Sequence, residues 1–573
     1  MISSWAREKP QTLQAWCLCG RVVAAHPSTP AVDNGALRGN TDAGPGLKKL
    51  SSSPTFLRLI ANDRVMRLTS GVLEARQRFG QAADLAKEAW RVLVNGHELP
   101  AIDPAMRVDL ELETEPLPKR ARSNGANGAD SIDVSLDSEP PPGATRSPEE
   151  RRRAAEERLA RQMAQRVAIT KMGGRDVFDK CYKFMAADNA RKMGVYPFFR
   201  PLDLNNGPVA LLEGREVIML GSNNYLGLTT HPRVREAAAR AIEKYGTSMT
   251  GSRLVNGSMR LHNELEEKLA AYHGKEAGLV FTTGYQVNLA ATSALLGNKR
   301  SVAVIDKEDH ASIYDGVRLA QAAGARMVRY RHNDPESLDK CLAELDQSDG
   351  ALVITDGVFS AQGEIARLDE ITKVVKKHGA RIMVDDAHAL GVIGPGGRGT
   401  AAMFGIDGDV DLIGGTFSKS LASIGGWLVG ERKVLDYIQH FAFSFLFAAS
   451  AAPPSVAAAM AALEVMQEEP WRQEKLRETF TYMRTELKRM GFELGRTETA
   501  VIPIYIRDDL KTVMMWKMLL DDYGLYVNPF ITPGVPPKQQ VLRTSYMATH
   551  KRQHLDHALE AFEKVGKKFG VIS

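Results

Sequence analysis

The sequence has few cysteines and little net charge for its length. Only four cysteines occur in 573 residues, and the formal net charge is +5. So few thiols give no disulfide framework, which favours a reducing compartment such as the cytoplasm. Cys17 and Cys19 form an isolated Cys-x-Cys pair that is too closely spaced for a usual zinc site, so no metal is expected. A charge spread this thinly gives no case for nucleic-acid binding.

The sequence also lacks an uninterrupted apolar run that could cross a membrane. The longest uncharged stretch, 441–463, is long enough, but Pro453 and Pro454 lie at its centre. Because these prolines would break a spanning helix, we interpret the stretch as a buried loop followed by a core helix. The N-terminus has no signal-peptide pattern, while a transit peptide and a true start further downstream stay open. Peripheral contact with the inner face of a membrane also stays open.

The composition that is present is that of a globular protein with room for two or three domains. Residues 1–122 carry few periodic signals and form an N-terminal extension of unknown role. Residues 123–148 are rich in Gly, Asn, Ser, Pro and acidic residues, which predicts a flexible linker. A capped, charged helix is predicted to begin at Ser147, and residues 149–215 form this helix and an arm. We then expect a large domain at 216–466 and a smaller α+β domain at 467–573.

The order of elements indicates the fold class. From Val209 onward, strand-like and helix-like segments alternate, which predicts an α/β protein with a mostly parallel central sheet covered by helices. The predicted strands are residues 278–281, 301–305, 351–354, 381–384 and 410–413 in the large domain and 501–506 in the small one.

Lys419 follows the last of the large-domain strands. It lies in the stretch GGTFSKSLASIGG (414–426), among small and hydroxylated residues. A lysine in such a place favours Schiff-base chemistry, because desolvation lowers the pKa of the amine and frees its lone pair for a carbonyl. A solvated loop lysine is the alternative for any isolated lysine, and the residues upstream decide between the two.

Four other strands also end in polar clusters, where open α/β sheets bind ligands. The cluster TTGYQ (282–286) opens a helix and offers backbone N–H groups for a phosphate. His310 and Ser360 follow the next two strands, and Asp385 and His388 follow the fourth. A buried aspartate requires a cationic partner such as a pyridinium nitrogen. Together with Lys419, these are the groups that pyridoxal phosphate requires.

With these residues in view, positions 175–570 resemble the α-oxoamine synthase family of fold-type I pyridoxal phosphate enzymes. The resemblance rests on the stretches GSNNYLGL (221–228), GTSMTGSRLVNG (246–257), VDDAH (384–388) and GTFSK (415–419). Within the family, SIGG (423–426) and LRTSYMATH (542–550) are most similar to bacterial serine palmitoyltransferases. Phe417 supports this assignment, since the other synthases usually carry leucine there.

The resemblance implies a role for each residue around the cofactor ring. Lys419 would be the Schiff-base lysine and the base for the Cα proton, and Asp385 would pair with the pyridine nitrogen. Ala387 and His310 would lie on the two faces of the ring. The other implied contacts are His388 and Ser360 to the phenolic oxygen; Thr283, Gly284, Tyr285 and Thr416 to the phosphate; and Asn223, His310 and Arg543 to the substrate.

The family also implies the reaction and the partners. An amino acid, expected to be L-serine, condenses with a long-chain acyl thioester of coenzyme A or acyl carrier protein and loses carbon dioxide, as in the first step of sphingolipid synthesis. A homodimer with its sites at the subunit interface is expected, with the apolar stretch 441–447 against the partner. The alternatives are a related synthase that uses alanine or glycine, and a non-catalytic subunit of an active paralogue.

Two positions depart from the family pattern. Asp386 stands where the family usually has glutamate, which is expected only to shorten a contact behind the site. Ala448 and Ala449 stand where the family often places hydroxyl residues that reach the partner subunit's phosphate. That contact between subunits is therefore in question in this chain, with Ser450 or backbone N–H groups as its substitutes.

Overall fold

The computed structural model describes residues 176–573, so the predicted extension, linker and charged helix up to residue 172 lie outside the described residues. The helices are α1 (Asp179–Tyr182), α2 (Ala186–Lys192), α3 (Pro232–Tyr245), α4 (Arg260–Tyr272), α5 (Gly284–Leu295), α6 (Ala311–Ala322), α7 (Pro335–Ala343), α8 (Leu368–Lys377), α9 (Thr400–Phe404), α10 (Arg432–Phe441), α11 (Phe443–Leu446), α12 (Pro453–Glu468), α13 (Trp471–Arg489), α14 (Asp509–Tyr523) and α15 (Arg552–Lys568). The strands are β1 (Leu204–Asn206), β2 (Val209–Leu212), β3 (Arg215–Met219), β4 (Ala277–Phe281), β5 (Ser301–Asp306), β6 (Arg326–Tyr330), β7 (Gly350–Asp356), β8 (Arg381–Asp385), β9 (Leu412–Thr416), β10 (Gly426–Gly430), β11 (Val501–Tyr505), β12 (Leu525–Tyr526), β13 (Asn528–Phe530) and β14 (Val541–Ser545).

A seven-stranded sheet forms the centre of the described fold. Its strand order is β4-β10-β9-β8-β7-β5-β6, and every neighbouring pair is parallel except the two that β10 makes. Strands β5, β8 and β9 are buried almost throughout, as expected for a sheet covered on both faces. The predicted α/β class and mostly parallel sheet are confirmed.

The parallel strands place their carboxyl ends at one edge of this sheet. Asp356 of β7 is in register with Asp385 of β8, and Asp385 is in register with Gly414 of β9. Strand β9 ends at Thr416, three residues beyond the predicted end. The extension arises because Gly414–Thr416 pair with the antiparallel strand β10. Lys419 therefore follows a strand end, as predicted, and shares the sheet edge with both aspartates.

Two smaller sheets flank the central one. Strands β1, β2, β3 and β12 form a four-stranded sheet, and β11, β14 and β13 form a three-stranded antiparallel sheet. Strand β11 coincides with the predicted strand 501–506, and β14 brings Arg543 into the fold. The predicted domain boundaries at residues 216 and 467 stay predictions.

The uncharged stretch 441–463 is divided between two helical segments. The short α11 buries Phe445 and Leu446, and α12 begins at Pro453 with its proline pair in the first turn, where no N–H is needed. Helix α12 packs on α3 and is buried along most of its length, which confirms the predicted core helix. The predicted buried loop before it is wrong, because Phe443–Leu446 are helical and Phe441, Phe443 and Phe447 are exposed. Within residues 176–573, no helix is both long and apolar enough to cross a bilayer.

Candidate functional site

A cavity of about 170 Å³ opens at the carboxyl edge of the central sheet. Nine of the twelve predicted site residues line it. They are Gly284, Tyr285, His310, Ser360, Asp385, Ala387, His388, Thr416 and Lys419. The cavity is also lined by five residues that were not predicted to be in the site, namely Ser312, Asp356, Val358, Gly415 and Ser418.

Lys419 lies in the wall of this cavity, and its side chain is partly buried. Desolvation lowers the pKa of its amine from 10.5 to about 8, against the opposing charge of Asp385. The Arg543 cation lowers this pKa further. At neutral pH the amine is therefore far more often unprotonated than an ordinary lysine, as nucleophilic attack on a carbonyl requires.

Asp385 is held at the end of β8 by two hydrogen bonds. Asn288 donates its side-chain Nδ2 to Oδ2 at 2.7 Å, and the backbone N–H of Ala387 donates to Oδ1 at 2.9 Å. Asp385 is only 8% exposed, so its side chain has little freedom to turn away from the cavity. This geometry suits a carboxylate that accepts a further hydrogen bond from a protonated ring nitrogen.

Asp356 lies beside Asp385 on the neighbouring strand and also lines the cavity. Burial, followed by the nearby charge of Asp385, raises the pKa of Asp356 well above its usual range. Its Oδ1 has no hydrogen-bond partner among the described residues. The two aspartates are therefore in register but differ in environment: Asp385 accepts hydrogen bonds from Asn288 and Ala387, whereas burial favours the neutral form of Asp356.

Two histidines flank the cavity in contrasting environments. His310 caps α6, and its Nδ1 lies 2.7 Å from the hydroxyl of Ser312. Desolvation lowers its pKa despite the neighbouring Asp385. His388 is buried, with its Nδ1 2.6 Å from the hydroxyl of Tyr225, and burial lowers its pKa well below the usual range. Both imidazoles are therefore neutral near pH 7 and can accept or donate hydrogen bonds.

The start of α5, with Gly284 and Tyr285 in the cavity wall, forms a cradle of backbone N–H groups. Gly284 is the first residue of that helix, and a Cβ atom there would come within 2.6 Å of the Thr416 Cβ. Only glycine leaves this space open, so the helix N-terminus can approach an anion closely. Thr283 does not line the cavity. Its hydroxyl caps α5 by accepting the N–H of Gln286.

Arg543 and Asn223 lie next to the cavity rather than in its wall. The guanidinium donates to the carbonyl of Ser360 at 2.7 Å, to Asn223 Oδ1 at 3.1 Å and to Ser545 Oγ at 2.9 Å. Arg543 is 4% exposed, and none of the carboxylates in residues 176–573 forms an ion pair with it. A buried guanidinium without a carboxylate partner is well suited to bind an anionic substrate group.

These residues fit the pyridoxal phosphate that the sequence predicts. The cavity offers a partly desolvated amine, a carboxylate, two neutral imidazoles and an anion cradle, each on a different element around one edge of the sheet. The cradle would accept the phosphate, Asp385 the ring nitrogen and Lys419 the carbonyl carbon.

The two departures from the family pattern lie outside the cavity wall. Asp386 is buried and accepts from the N–H and the hydroxyl of Thr400, and burial raises its pKa to about 7. Ala449 uses its carbonyl oxygen to accept from the Thr282 hydroxyl at 2.7 Å. The Ser450 hydroxyl is buried and has no hydrogen-bond partner among the described residues.

Sequence reasoning missed several residues that organise the site. Asn288 and Ser312 lie on helices, four residues after Gly284 and two after His310. Ser312 lines the cavity and Asn288 contacts Asp385, and the two side chains meet because those helices pack together. Tyr225 lies within the stretch 221–228, whose family resemblance was the only sequence signal for it.

Comparison with known proteins identifies the family of this chain. The chain matches the aminotransferase class I and II family over residues 215–562. A serine palmitoyltransferase of Sphingobacterium spiritivorum is 44% identical over 390 residues, which cover 68% of this chain and 96% of that protein. An 8-amino-7-oxononanoate synthase of Thermoanaerobacter pseudethanolicus is 39% identical over 386 residues, 67% of this chain and 96% of that protein.

Solved structures agree with these sequence comparisons. A high-resolution structure of serine palmitoyltransferase with its PLP internal aldimine matches this chain with a TM-score of 0.67 at 36% sequence identity. The match covers 70% of this chain and 100% of the serine palmitoyltransferase chain. The family match, the relatives and the shared fold together lead to one assignment. The chain belongs to the class I and II aminotransferase family and, within it, to the α-oxoamine synthases.

Proposed function

We propose that this protein uses pyridoxal phosphate to condense L-serine with a long-chain acyl thioester. The products are carbon dioxide, the free thiol and a 3-keto amino alcohol of the 3-ketosphinganine type, the first intermediate of sphingolipid synthesis. The observation that carries the proposal is the partly desolvated Lys419 beside Asp385 in a cavity with an anion cradle. The choice of serine rests on four serine palmitoyltransferases that are 42–44% identical to this chain.

When bound, the cofactor supplies an electron sink that stabilises negative charge at the amino-acid Cα. Lys419 holds the cofactor and, once the substrate amine has displaced it, takes the Cα proton. Its pKa of about 8 suits this exchange, because the amine is basic enough to accept a proton and is often free to do so. Asp385 keeps the ring nitrogen protonated, since its two hydrogen bonds hold the carboxylate in place.

The remaining residues orient the cofactor. Ala387 and His310 would lie on opposite faces of the ring, and His388 and Ser360 would hydrogen-bond the phenolic oxygen. The cradle residues would hold the phosphate, with Thr416 and the backbone N–H groups of Gly284 and Tyr285 as donors and Thr283 as the helix cap. These assignments are supported by the positions of the side chains around the cavity.

The substrate carboxylate binds at the buried guanidinium of Arg543, beside Asn223. Those side chains already touch, and the Ser360 carbonyl holds the guanidinium at the cavity edge. His310 orients the same carboxylate and later donates a hydrogen bond to the thioester oxygen as negative charge develops there. Once carbon dioxide has left, the product has no carboxylate, so the contact with Arg543 no longer holds it.

Two alternative functions, a synthase that uses alanine and a non-catalytic subunit, predict different results in a turnover assay. The 39% identity to an 8-amino-7-oxononanoate synthase makes alanine the strongest competitor of serine as the amino-acid substrate. A non-catalytic partner subunit would lack turnover with every amino acid, although this chain retains Lys419, Asp385 and His310.

The protein also acts as a homodimer in this proposal. In the stretch 441–447, Phe445 is buried within the chain and packs edge-on against Phe281 at 5.1 Å. Phe443 and Phe447 on the other side are 73% and 71% exposed and contact each other. This exposed aromatic pair is suited to burial against a second copy. Static light scattering of the cofactor-loaded enzyme tests this, and an active monomer would contradict it.

The function itself is tested by a substrate screen. Purified enzyme loaded with pyridoxal phosphate is incubated with L-serine, L-alanine or glycine and with acyl-CoA or acyl-carrier-protein thioesters of several chain lengths. Products are identified by mass. A 3-keto amino alcohol from serine is expected, and an alanine or glycine product in its place would overturn the choice of substrate.

A further inference from the structure

A chain of three hydrogen bonds links Asp385 to His310. Asn288 Nδ2 lies 2.7 Å from Asp385 Oδ2 and 2.8 Å from Ser312 Oγ, and Ser312 Oγ lies 2.7 Å from His310 Nδ1. Asn288 and Ser312 are each 1% exposed, so water does not compete for the two bonds that Asn288 donates, whereas the bond from Ser312 to the exposed His310 is only partly buried. Asn288 and Ser312 thus connect Asp385, the proposed partner of the pyridine nitrogen of the cofactor, to the imidazole of His310.

The chemistry of these groups fixes the direction of each bond. A carboxylate only accepts, so the Asn288 amide must turn its Nδ2 toward Asp385. The second hydrogen of that nitrogen then points to Ser312 Oγ, which accepts it. Asn288 Oδ1 is left without a partner among the described residues, which shows that the amide is oriented by its donors.

Ser312 therefore has its own hydroxyl hydrogen free to donate. The nearest acceptor is His310 Nδ1 at 2.7 Å, and the backbone N–H of Ser312 is also directed at that nitrogen at 3.3 Å. Because both donors point at Nδ1, this atom is the acceptor of the imidazole, and the neutral ring must carry its proton on Nε2.

We propose that Asn288 and Ser312 are positioning residues that hold His310 as the Nε2–H tautomer, so that it presents an N–H donor to the substrate. This inference rests on the proposed function, in which His310 donates to the substrate carboxylate and then to the thioester oxygen. A ring protonated on Nδ1 instead would turn a bare nitrogen toward both anionic groups and repel them.

The other groups around His310 are compatible with this state. Desolvation and the Lys419 cation lower its pKa, while Asp385 raises it, and the net direction favours the neutral ring. Tyr285 meets the imidazole edge-on at 6.2 Å and makes no hydrogen bond with it. The Ser312 hydroxyl and backbone N–H are thus the groups that select between the two neutral tautomers.

The tautomer is measured directly by ¹⁵N NMR of histidine-labelled, cofactor-loaded enzyme, with the His310 signals assigned by their loss in His310→Gln. The wild-type protein should show a protonated Nε2 and an unprotonated Nδ1. In Ser312→Ala the hydroxyl donor is gone, and the two nitrogens should move toward averaged shifts. A wild-type ring protonated on Nδ1 would overturn the proposal without any variant.

Binding of L-serine, followed by the change in cofactor absorbance, supplies the second readout. Loss of one net hydrogen bond predicts about tenfold weaker serine binding in Ser312→Ala. The matched control is Ser293→Ala, which removes a hydroxyl that bonds only the Leu289 carbonyl on α5. The control should bind serine like wild type, and equal binding by Ser312→Ala would contradict the proposal.

The two proposals fail in different ways. If wild-type enzyme showed no absorbance change with L-serine, the proposed substrate would be wrong, while the nitrogen shifts would still decide the tautomer. If serine bound normally and the His310 shifts were the same in Ser312→Ala as in wild type, the positioning role would be wrong and the proposed function would stand.

Discussion

The lowered pKa of Lys419 predicts how fast the cofactor-free enzyme captures pyridoxal phosphate at different pH values. Only the unprotonated amine attacks the carbonyl, and desolvation lowers the pKa from 10.5 to about 8. At pH 7 this shift raises the unprotonated fraction about 300-fold over that of an ordinary lysine, since each pKa unit is worth a factor of ten. The capture rate should therefore rise with pH and level off above about pH 8.

The perturbation is Arg543→Met, with Arg543→Lys as the matched control. The Arg543 cation lowers the pKa of Lys419, so its removal should raise that pKa. The midpoint of the rate profile should move to higher pH in Arg543→Met, and capture at pH 7 should slow. Arg543→Lys keeps the charge and should keep the wild-type midpoint.

The assay is stopped-flow absorbance of cofactor-free enzyme mixed with pyridoxal phosphate between pH 6 and 10. Lys419→Ala reports any capture by other lysines and is subtracted. A wild-type midpoint near 10.5 would refute the reasoning, because it would mean that the cavity does not desolvate the amine. An unchanged midpoint in Arg543→Met would remove the guanidinium from the electrostatics of the site.

Three further predictions follow from particular contacts. Asp385→Asn should bind the cofactor but lose about 10²–10³ in rate. Asp356→Asn, its neighbour in register, should lose much less, because burial already favours the neutral form of Asp356. Steady-state kinetics on both variants check this, and equal losses would contradict it. Gly284→Ala should weaken pyridoxal phosphate binding, measured by fluorescence titration, because the added Cβ would meet Thr416 at 2.6 Å; unchanged affinity would place the phosphate elsewhere. Deletion of residues 1–145 should leave an active enzyme, and loss of cofactor binding in the truncated protein would show that the extension is part of the fold.

Much of the fold could be read from the sequence because its strands are short apolar runs that end in polar residues. Residues 302–305 and 382–384 are apolar, and the structure has strands there that end at Asp306 and Asp385. Strand β10 was missed, because its apolar core of three residues is bounded by glycines and resembles a loop. Its pairing with β9 is what extends that strand to Thr416.

The site was predictable where its residues follow strand ends and was not where they come from helices. Lys419, Asp385 and His310 follow strands whose carboxyl ends meet at one edge of the sheet. Asn288 is 97 residues from Asp385 along the chain, and its contact depends on how α5 packs against the sheet. The raised pKa of Asp356 depends likewise on the register of β7 and β8, which spacing alone does not give.

The condensation reaction is the most direct test of the central claim. Enzyme loaded with pyridoxal phosphate is given ¹³C-carboxyl-labelled L-serine and palmitoyl-CoA, and carbon dioxide, free thiol and product mass are followed together. We predict labelled carbon dioxide, one thiol per turnover and a 3-keto amino alcohol that retains the serine side chain, with none of the three from Lys419→Ala. Thiol release without labelled carbon dioxide, or the same product from Lys419→Ala, would contradict the account.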